Sequence, residues 1–353
     1  MKFSTPLLSL LAATTAAASL CDSEQQANTP SLCKILDLSQ TNPEVLADQL
    51  AASELSTVMS PVPMPETPTL LEDSDALPVV IAHGMGDSCF NRGMQSITEA
   101  AGAKVGAYSV CIPTGDSRIK DTIAGFLTNM DDSVDIFAEK VRADPKLANG
   151  FNAFGLSQGN NLIRGYIQKY NDPPVNTFMS ICGINAGVGA FPSCSPQGKI
   201  GGICKAVTEI LGDFAYNTFV QKHLFQANYF RDPSKTDGDR YKEYSQLAQW
   251  ENEGNHVDPT RNTNFAITSK YVWVLGTEDS VVWPREGEQW GAMDPEDPFA
   301  TVLAWNETKW YKDDTFGLAT ADTAQKHNFE QFEGDHLQFS NDELMGWLEK
   351  YFM

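Results

Sequence analysis

Basic residues are scarce in this chain, and their scarcity excludes one class of partner. The 353 residues include 25 lysines and arginines against 46 aspartates and glutamates, which gives a formal net charge of −21. A surface of that charge repels the phosphates of nucleic acids and the headgroups of anionic membranes. The sequence therefore predicts a protein that does not bind nucleic acid.

Long apolar runs are absent after the first residues, so no transmembrane segment is predicted. Residues 6–18 are apolar or small, follow Lys2 and end in three alanines, which is typical of a cleavable signal peptide. The run is shorter than the roughly 20 residues that span a bilayer. We expect residues 1–18 to be a signal peptide and the mature protein to be soluble in the secretory pathway. Asn306 begins the single N-glycosylation sequon, which agrees with export.

Cys-x-x-Cys pairs and clusters of cysteine with histidine are also missing, so we expect no zinc site, and no metal or other cofactor. In an exported protein, cysteines pair as disulfides by default. Cys194 and Cys204 flank a loop rich in Gly that a bridge would hold, and Cys21 and Cys33 could close a second small loop. The odd total leaves one thiol unpaired, and Cys182, in an apolar run, is predicted to be a buried thiol. The seven cysteines are Cys21, Cys33, Cys89, Cys111, Cys182, Cys194 and Cys204.

Composition divides the chain into an extension and a folded domain. Residues 19–76 form an N-terminal extension that is helical or loose at first and then becomes a linker rich in Ser, Pro and Thr. We expect this segment to be mobile and to be cut by proteases near its prolines; a strap on the surface is the alternative. The folded domain is predicted to cover residues 77–353.

Within the folded domain, short apolar strands alternate with segments of helical periodicity. This alternation predicts a mainly parallel sheet with helices on both faces and right-handed crossovers. The predicted strands cover residues 79–82, 105–112, 151–156, 177–182, 271–275 and 329–332.

Residues 183–268 interrupt the alternation. Their apolar side chains recur at helical spacing, which predicts a helical insertion over the edge of the sheet where a catalytic site would lie. Two interpretations stay open, because periodicity does not separate them. The apolar side chains pack only against each other and the sheet, or some of them line a groove for a lipid chain.

The most informative motif is Gly-x-Ser-x-Gly at residues 155–159. It follows a predicted strand and opens a predicted helix, and in that context the turn presents its serine at the top of a parallel sheet. Gly155 and Gly159 have no Cβ, so the strand and the helix can pass close to each other around Ser157. The motif alone arises by chance about once in ten chains of this length. Its context predicts that Ser157 is the nucleophile of an α/β-hydrolase fold.

A serine nucleophile needs a base, and histidine is the usual one. His336 follows the predicted strand 329–332, at the edge where catalytic loops gather. His223 and His256 belong to the insertion, and His327 precedes the strand. We therefore predict His336 as the base.

The histidine in turn needs a carboxylate that orients it, placed between Ser157 and His336 in the chain. Asp279 directly follows the strand that ends at residue 275 and is predicted to be this acid. Glu278 and Asp335 are the alternatives.

The negative charge that develops on an acyl oxygen needs backbone N–H donors. One comes from Gln158, the residue after the nucleophile. We assign the second to Met85, in the loop after strand 79–82. His83, in the same loop, is interpreted as a structural hydrogen-bonding group rather than a second base.

Four motifs together resemble the palmitoyl-protein thioesterase family, over about residue 77 to the C-terminus. They lie at residues 83–89, 155–159, 226–233 and 333–338. The resemblance implies a triad of Ser157, Asp279 and His336, with Met85 and Gln158 as the oxyanion donors.

The resemblance also bears on the insertion and the cysteines. It implies that the inserted helices bind a fatty chain and that Cys194 and Cys204 form a disulfide. Where the family has two adjacent cysteines after the early glycine-rich loop, this chain has Cys89-Phe90, so that bridge cannot form. Cys89 and Cys111 are then a candidate pair.

The family consists of lysosomal hydrolases that remove long-chain acyl groups from cysteines of lipidated proteins. The resemblance implies a palmitoyl-protein thioesterase that acts on S-palmitoylated proteins or peptides through an acyl-serine, in a lysosome or vacuole. Two hypotheses compete with it. One is a secreted carboxyl-ester lipase or esterase with the same triad, and the other is a lipid-binding protein whose triad is inactive.

Overall fold

The computed structural model describes residues 20–52, 76–190, 211–212 and 214–353. The predicted signal peptide and Cys194–Cys204 disulfide lie outside these residues, as does nearly all of the predicted linker. Within the described ranges, no helix has both the length and the apolar character needed to cross a bilayer.

A central sheet of six parallel strands organises the molecule. Its strands are β1 (Val79–Ala82), β2 (Ser109–Cys111), β3 (Phe151–Leu156), β4 (Val175–Ile181), β5 (Lys270–Gly276) and β8 (His327–Phe332), and β6 (Ala292–Met293) pairs with β7 (Val302–Leu303) outside it. The order in the sheet is β2-β1-β3-β4-β5-β8. Every residue of β1 and β3 is buried, as expected for parallel strands covered on both faces. The predicted α/β class is confirmed.

Helices pack on both faces of this sheet. One face is covered by α4 and α15, and the other by α6 and α7. The helices are α1 (Ser23–Asn28), α2 (Pro30–Thr41), α3 (Pro43–Ala52), α4 (Arg92–Val105), α5 (Arg118–Leu127), α6 (Met130–Ala143), α7 (Gly159–Lys169), α8 (Thr218–His223), α9 (Phe225–Asn228), α10 (Asp239–Tyr244), α11 (Gln246–Trp250), α12 (Thr260–Ile267), α13 (Lys309–Lys312), α14 (Leu318–Thr323) and α15 (Asn341–Phe352). Helices α8 to α12 lie between β4 and β5, in the stretch predicted as a helical insertion.

The register of the strands brings the catalytic loops to one edge. Ala82 at the end of β1 pairs with Gly155 of β3, and Gly276 at the end of β5 pairs with Phe332 at the end of β8. The loops that follow β1, β3, β5 and β8 therefore leave the sheet side by side, at its carboxyl edge.

Two predicted boundaries differ from the structure. The strand predicted at 105–112 is shorter, because α4 continues until Gly106 ends it in a left-handed conformation with φ of 71°. Residues 119–142, one of the segments of helical periodicity that alternate with the predicted strands, form two helices rather than one. Asn129 starts the second one, since its side chain accepts a hydrogen bond from the N–H of Asp132 at 3.0 Å.

The N-terminal residues 20–52 pack against the rest of the molecule. Leu32 of α2 lies in an apolar cluster with Val220 of the insertion, and Leu46 of α3 lies in another with Phe126 of α5. The prediction that the N-terminal extension is mobile is therefore wrong for residues 20–52. Apolar side chains on one side of α2 and α3 find buried partners, which composition alone does not show.

Two disulfides close in the described part of the chain. Cys21 pairs with Cys33 at the N-terminal helices, and Cys89 pairs with Cys111 beside β1. Cys182 is buried and free, as predicted. Structural disulfides indicate folding in the secretory pathway.

Candidate active site

Ser157 stands on a tight turn between β3 and α7, with a positive φ of 51°. Positive φ strains a residue that has a Cβ, and this strain is typical of a serine at such a turn. A Cβ on Gly155 would lie 2.4 Å from Asn160 Oδ1, and one on Gly159 would lie 2.4 Å from Ala82 O. Both glycines are therefore required by the close approach of β1, β3 and α7.

The side chain of Asn160 ties the turn to the neighbouring strand. Its Nδ2 donates to Ser157 O and to Ile181 O, at 3.0 Å in each case. The backbone N–H of Ser157 also donates to Ile181 O at 3.0 Å. The position of the serine thus depends on the end of β4.

The structure brings Ser157, His336 and Asp279 into one hydrogen-bonded row. His336 Nε2 lies 2.8 Å from Ser157 Oγ, and His336 Nδ1 donates to Asp279 Oδ2. The three residues are 7%, 6% and 8% exposed, so water has little access to the bonds between them. This arrangement can activate the serine hydroxyl as a nucleophile.

The carboxylate of Asp279 is stabilised as an anion. Its Oδ1 accepts from the backbone N–H groups of Val281 and Val282, at 2.7 and 2.8 Å. Burial raises the pKa of Asp279, but the hydrogen bond and the charge of His336 outweigh burial and lower that pKa to about 2. The imidazole therefore faces a fixed negative charge.

The alternative acids lie elsewhere. Glu278 is exposed. Asp335 accepts from the backbone N–H groups of His336 and Ser280, at 2.7 and 2.8 Å, and so joins two loops rather than orienting the imidazole ring.

The alternative bases also lie elsewhere. His223 hydrogen-bonds to Phe219 O within its own helix, and His256 is exposed. His327 accepts from Trp273 Nε1 at 3.0 Å, in β8 itself.

The loop that carries Met85 lies directly beside the nucleophile turn. A Cβ on Gly84 would lie 3.3 Å from Leu156 O and 3.5 Å from Ser157 Cβ. The backbone N–H groups of Met85 and Gln158 have no hydrogen-bond acceptor among the described residues. Both donors are therefore available to a bound ligand.

The side chain of Gln158 connects this turn to the insertion. Its Nε2 donates to Gly125 O at 2.7 Å, and its Oε1 accepts from Gln226 Nε2 and from the hydroxyl of Tyr229, at 2.9 and 3.0 Å. The side chains of Gln158, Gln226 and Tyr229 are buried, so these bonds fix the insertion against the site.

His83 forms a buried pair with Asp121 beneath the Met85 loop. Its Nδ1 donates to Gly84 O at 2.8 Å, and its Nε2 lies 3.2 Å from Asp121 Oδ2. Burial lowers the pKa of His83, but the hydrogen bond and the charge of Asp121 outweigh burial, so that pKa is raised overall. Asp121 also accepts from Ser88 Oγ and from the N–H of Thr114, at 2.8 and 2.7 Å. This geometry agrees with the structural interpretation of His83.

Sequence patterns give no signal for two further buried carboxyl groups. Asp121 lies within α5, and Glu288 lies within the short 3-10 helix Arg285–Gln289. The groups they contact lie in other elements, so local patterns do not reveal them. Tyr229 could have been found, because it belongs to the motif at residues 226–233.

A family model described as "Palmitoyl protein thioesterase" matches residues 78–336. The matched range begins just before β1 and includes Ser157, Asp279 and His336. The chain belongs to the palmitoyl protein thioesterase family. It is accordingly a hydrolase of this family, as the sequence predicted.

Two relatives show how far the similarity to members of this thioesterase family extends. Palmitoyl-protein thioesterase 1 of Caenorhabditis elegans is 35% identical over 280 residues, which cover 78% of this chain and 92% of the nematode protein. Palmitoyl-protein thioesterase 3 of Dictyostelium discoideum is 32% identical over 200 residues, which cover 56% of this chain and 65% of that protein.

Some solved structures are distantly similar to this chain. An extracellular α/β-hydrolase from a Paenibacillus species is 12% identical, with a TM-score of 0.39 and coverage of 77% of this chain and 96% of that one. This distant similarity assigns no role to any residue of the site.

Proposed function

We propose that this protein hydrolyses long-chain fatty acyl thioesters on cysteines of S-acylated proteins or peptides, through an acyl-serine intermediate. The observation that carries the proposal is the buried row Ser157–His336–Asp279, next to two backbone N–H groups that have no acceptor in the described part of the chain. The thioesterase family to which the chain belongs supplies the substrate class.

In the first step, His336 Nε2 takes the proton of Ser157 Oγ, and the oxygen attacks the thioester carbonyl carbon. The carbonyl oxygen becomes an oxyanion, which the N–H groups of Met85 and Gln158 stabilise. The C–S bond then breaks, and the imidazolium returns its proton to the leaving cysteine sulfur. Asp279 stabilises the imidazolium throughout and keeps its own charge.

In the second step, water replaces the departed thiol. His336 removes a proton from this water, whose oxygen attacks the acyl-serine. Collapse of the second oxyanion releases the fatty acid, and Ser157 Oγ regains a proton from the imidazolium. These residues complete the reaction without a cofactor.

We place the fatty chain against apolar side chains that adjoin Met85. Leu38, Ile123 and Leu127 are only partly buried, and together with Met85 they pack against a buried apolar cluster that contains Phe126. They leave apolar surface beside the proposed oxyanion donors. An alkyl chain bound there would extend from the acyl carbon without burying a polar group.

We further propose a lysosome or vacuole as the site of action. The disulfides agree with passage through the secretory pathway, and Asn306 is exposed, as a glycosylated residue must be. Turnover of lipidated proteins in such a compartment would supply S-acylated peptides.

The deciding experiment compares hydrolysis of a palmitoyl-cysteine thioester with hydrolysis of the matched oxygen ester. It uses wild type, Ser157→Ala and, as a control, Ser269→Ala, which changes an exposed serine before β5. We expect the thioester to be the preferred substrate. We also expect its turnover to fall by at least about 10³-fold in Ser157→Ala and to stay unchanged in the control.

Other outcomes would point to the competing hypotheses. Faster turnover of the oxygen ester would keep the triad and assign the protein as a lipase or esterase. Absence of turnover, together with failure of a fluorophosphonate to label Ser157, would favour lipid binding with an inactive triad.

A further inference from the structure

A second carboxyl group lies directly behind Asp279. Glu288 is fully buried, with 0% of its surface exposed. Its Oε2 accepts from the backbone N–H of Gly276, at the end of β5, at 3.1 Å. Its Oε1 has no hydrogen-bond donor among the described residues. One oxygen of a buried carboxyl group is therefore left without a donor, although such atoms are nearly always paired.

The groups that face Glu288 come from three strand ends. Cys182 follows β4, Asp279 follows β5 and His336 follows β8. One polar side-chain atom of each of these three residues and one carboxyl oxygen of Glu288 all lie within 4.8 Å of one another. One carboxyl oxygen of Glu288 therefore lies within 4.8 Å of a carboxyl oxygen of Asp279. None of the ion pairs formed by lysine or arginine in the described ranges includes Glu288.

Two carboxyl groups this close in a buried site do not both ionise, because one charge strongly disfavours the other. Asp279 has three donors, from His336 and the N–H groups of Val281 and Val282. Within the described residues, Glu288 has one backbone donor, the N–H of Gly276, and otherwise only the weak thiol donor of Cys182 nearby. The negative charge is therefore better stabilised on Asp279, and the proton belongs on Glu288. Burial, followed by the charge of Asp279, raises the pKa of the Glu288 carboxyl well above its ordinary value.

We propose that Glu288 is a neutral carboxylic acid whose O–H donates a hydrogen bond to Asp279, which makes it a positioning residue for the triad. This bond gives a hydrogen-bond partner to the carboxyl group of Glu288, whose Oε1 has none among the described residues. It holds the Asp279 carboxylate towards His336 Nδ1 without placing a second negative charge beside the imidazole. The kinetic part of the proposal rests on the hydrolase function proposed above, whereas the protonation state does not.

The test compares two variants of Glu288. Glu288→Gln keeps the shape and neutrality, and its amide can donate to Asp279 while accepting from Gly276. Glu288→Met has a similar volume but no donor. Glu286→Gln makes the same chemical change on the same turn, at a side chain that is about half exposed, and serves as the control.

We expect Glu288→Gln to keep kcat within about threefold of wild type and to leave the acidic limb of the kcat/KM profile unmoved. We expect Glu288→Met to lower kcat roughly tenfold with little change in KM. Rates are measured with whichever acyl ester or thioester Ser157 hydrolyses faster. A shift of the acidic limb to lower pH by about one unit in Glu288→Gln would show that an ionised Glu288 had been supporting the imidazolium, and would overturn the proposal.

Infrared difference spectroscopy decides the protonation state without turnover. The wild type should show the carbonyl band of protonated carboxyl groups at neutral pH, and the band should lose intensity in Glu288→Gln but not in Glu286→Gln. Burial also raises the pKa of Glu251, to about 7, so the Glu288 contribution is read from the difference between wild type and Glu288→Gln. A wild-type spectrum without the band refutes the proposal, even if the protein proves inactive as a thioesterase. Wild-type kcat in Glu288→Met would refute the positioning role.

Discussion

Asp279 accepts hydrogen bonds from Val281, Val282 and His336. The two backbone donors lie two and three residues after Asp279 in the chain, so its own loop helps to orient the carboxylate. The imidazole is thereby held with Nε2 towards Ser157. A carboxylate at this position both selects the tautomer of His336 and stabilises its charged form.

Replacing Asp279 by Asn should therefore remove most of the activity. We expect Asp279→Asn to lower kcat by roughly 10³- to 10⁴-fold, because the amide favours the wrong tautomer and carries no charge. Glu278→Gln, at the exposed neighbouring acid, should stay close to wild type. Steady-state kinetics on a palmitoyl thioester measures both, and equal losses in the two variants would contradict the assignment of Asp279.

The candidate triad could be predicted because each of its members lies within a few residues of the end of a predicted strand. Ser157 directly follows β3, Asp279 lies in the loop after β5 and His336 lies in the loop after β8, and parallel strands bring such positions to one edge. Asp121 and Glu288 could not be predicted in this way. Their environments consist of residues from other elements, and only tertiary contacts show that their carboxyl groups are buried.

The packing of the N-terminal helices could not be predicted from the sequence either. Leu46 and Leu50 of α3 are completely buried against Phe126 of α5. Sequence periodicity over so short a helix does not reveal whether its apolar side meets a partner. The strands were easier to predict, since β1 is a continuous apolar run and β3 is apolar except for Asn152, as expected for strands of a parallel sheet covered on both faces.

Truncation of Leu46 should destabilise the whole protein if α3 is part of the folded unit. We expect Leu46→Ala to lower the free energy of unfolding by about 2–5 kcal/mol, through lost burial and a cavity next to Phe126. The adjacent Val45 is 43% exposed, so Val45→Ala should change the free energy of unfolding by less than about 0.5 kcal/mol. Urea denaturation measures the free energy of unfolding of both variants. Equal transition midpoints for Leu46→Ala and Val45→Ala would show that α3 unfolds independently.

Across the whole molecule, buried titratable groups restrict the pH range in which folding is most favourable. Hydrogen bonds and charge from His336 and His83 outweigh burial and lower the pKa values of Asp279 and Asp121 from 3.8 to about 2. These two carboxylates stabilise the folded state at pH values above 3.8, their pKa in the unfolded chain, and this stabilisation is lost as the pH falls towards 2. Folding raises the pKa of Glu288, chiefly by burial, so its contribution is present below its unfolded value of 4.5 and is lost as pH rises.

The melting temperature should accordingly be highest in mildly acidic solution, at about pH 4 to 5. It should fall below pH 4 as Asp121 and Asp279 bind protons. It should also fall towards neutral pH, where the net charge of −21 adds repulsion. Calorimetry across this range provides the measurement, and Glu288→Gln should show a smaller loss between pH 5 and 7. A wild-type melting temperature that rises steadily from pH 5 to 8 would contradict this account.

The packing of α2 against the insertion has a consequence for how the polypeptide leaves the ribosome. Leu32 is synthesised early, but Val220 and Phe230, with which it forms a cluster, are synthesised only in the second half of this sequence. The apolar side of α2 therefore stays exposed while strands β1 to β4 are synthesised. Cys21 and Cys33 are 12 residues apart, so their bridge can close within the nascent segment before the late partners of α2 emerge.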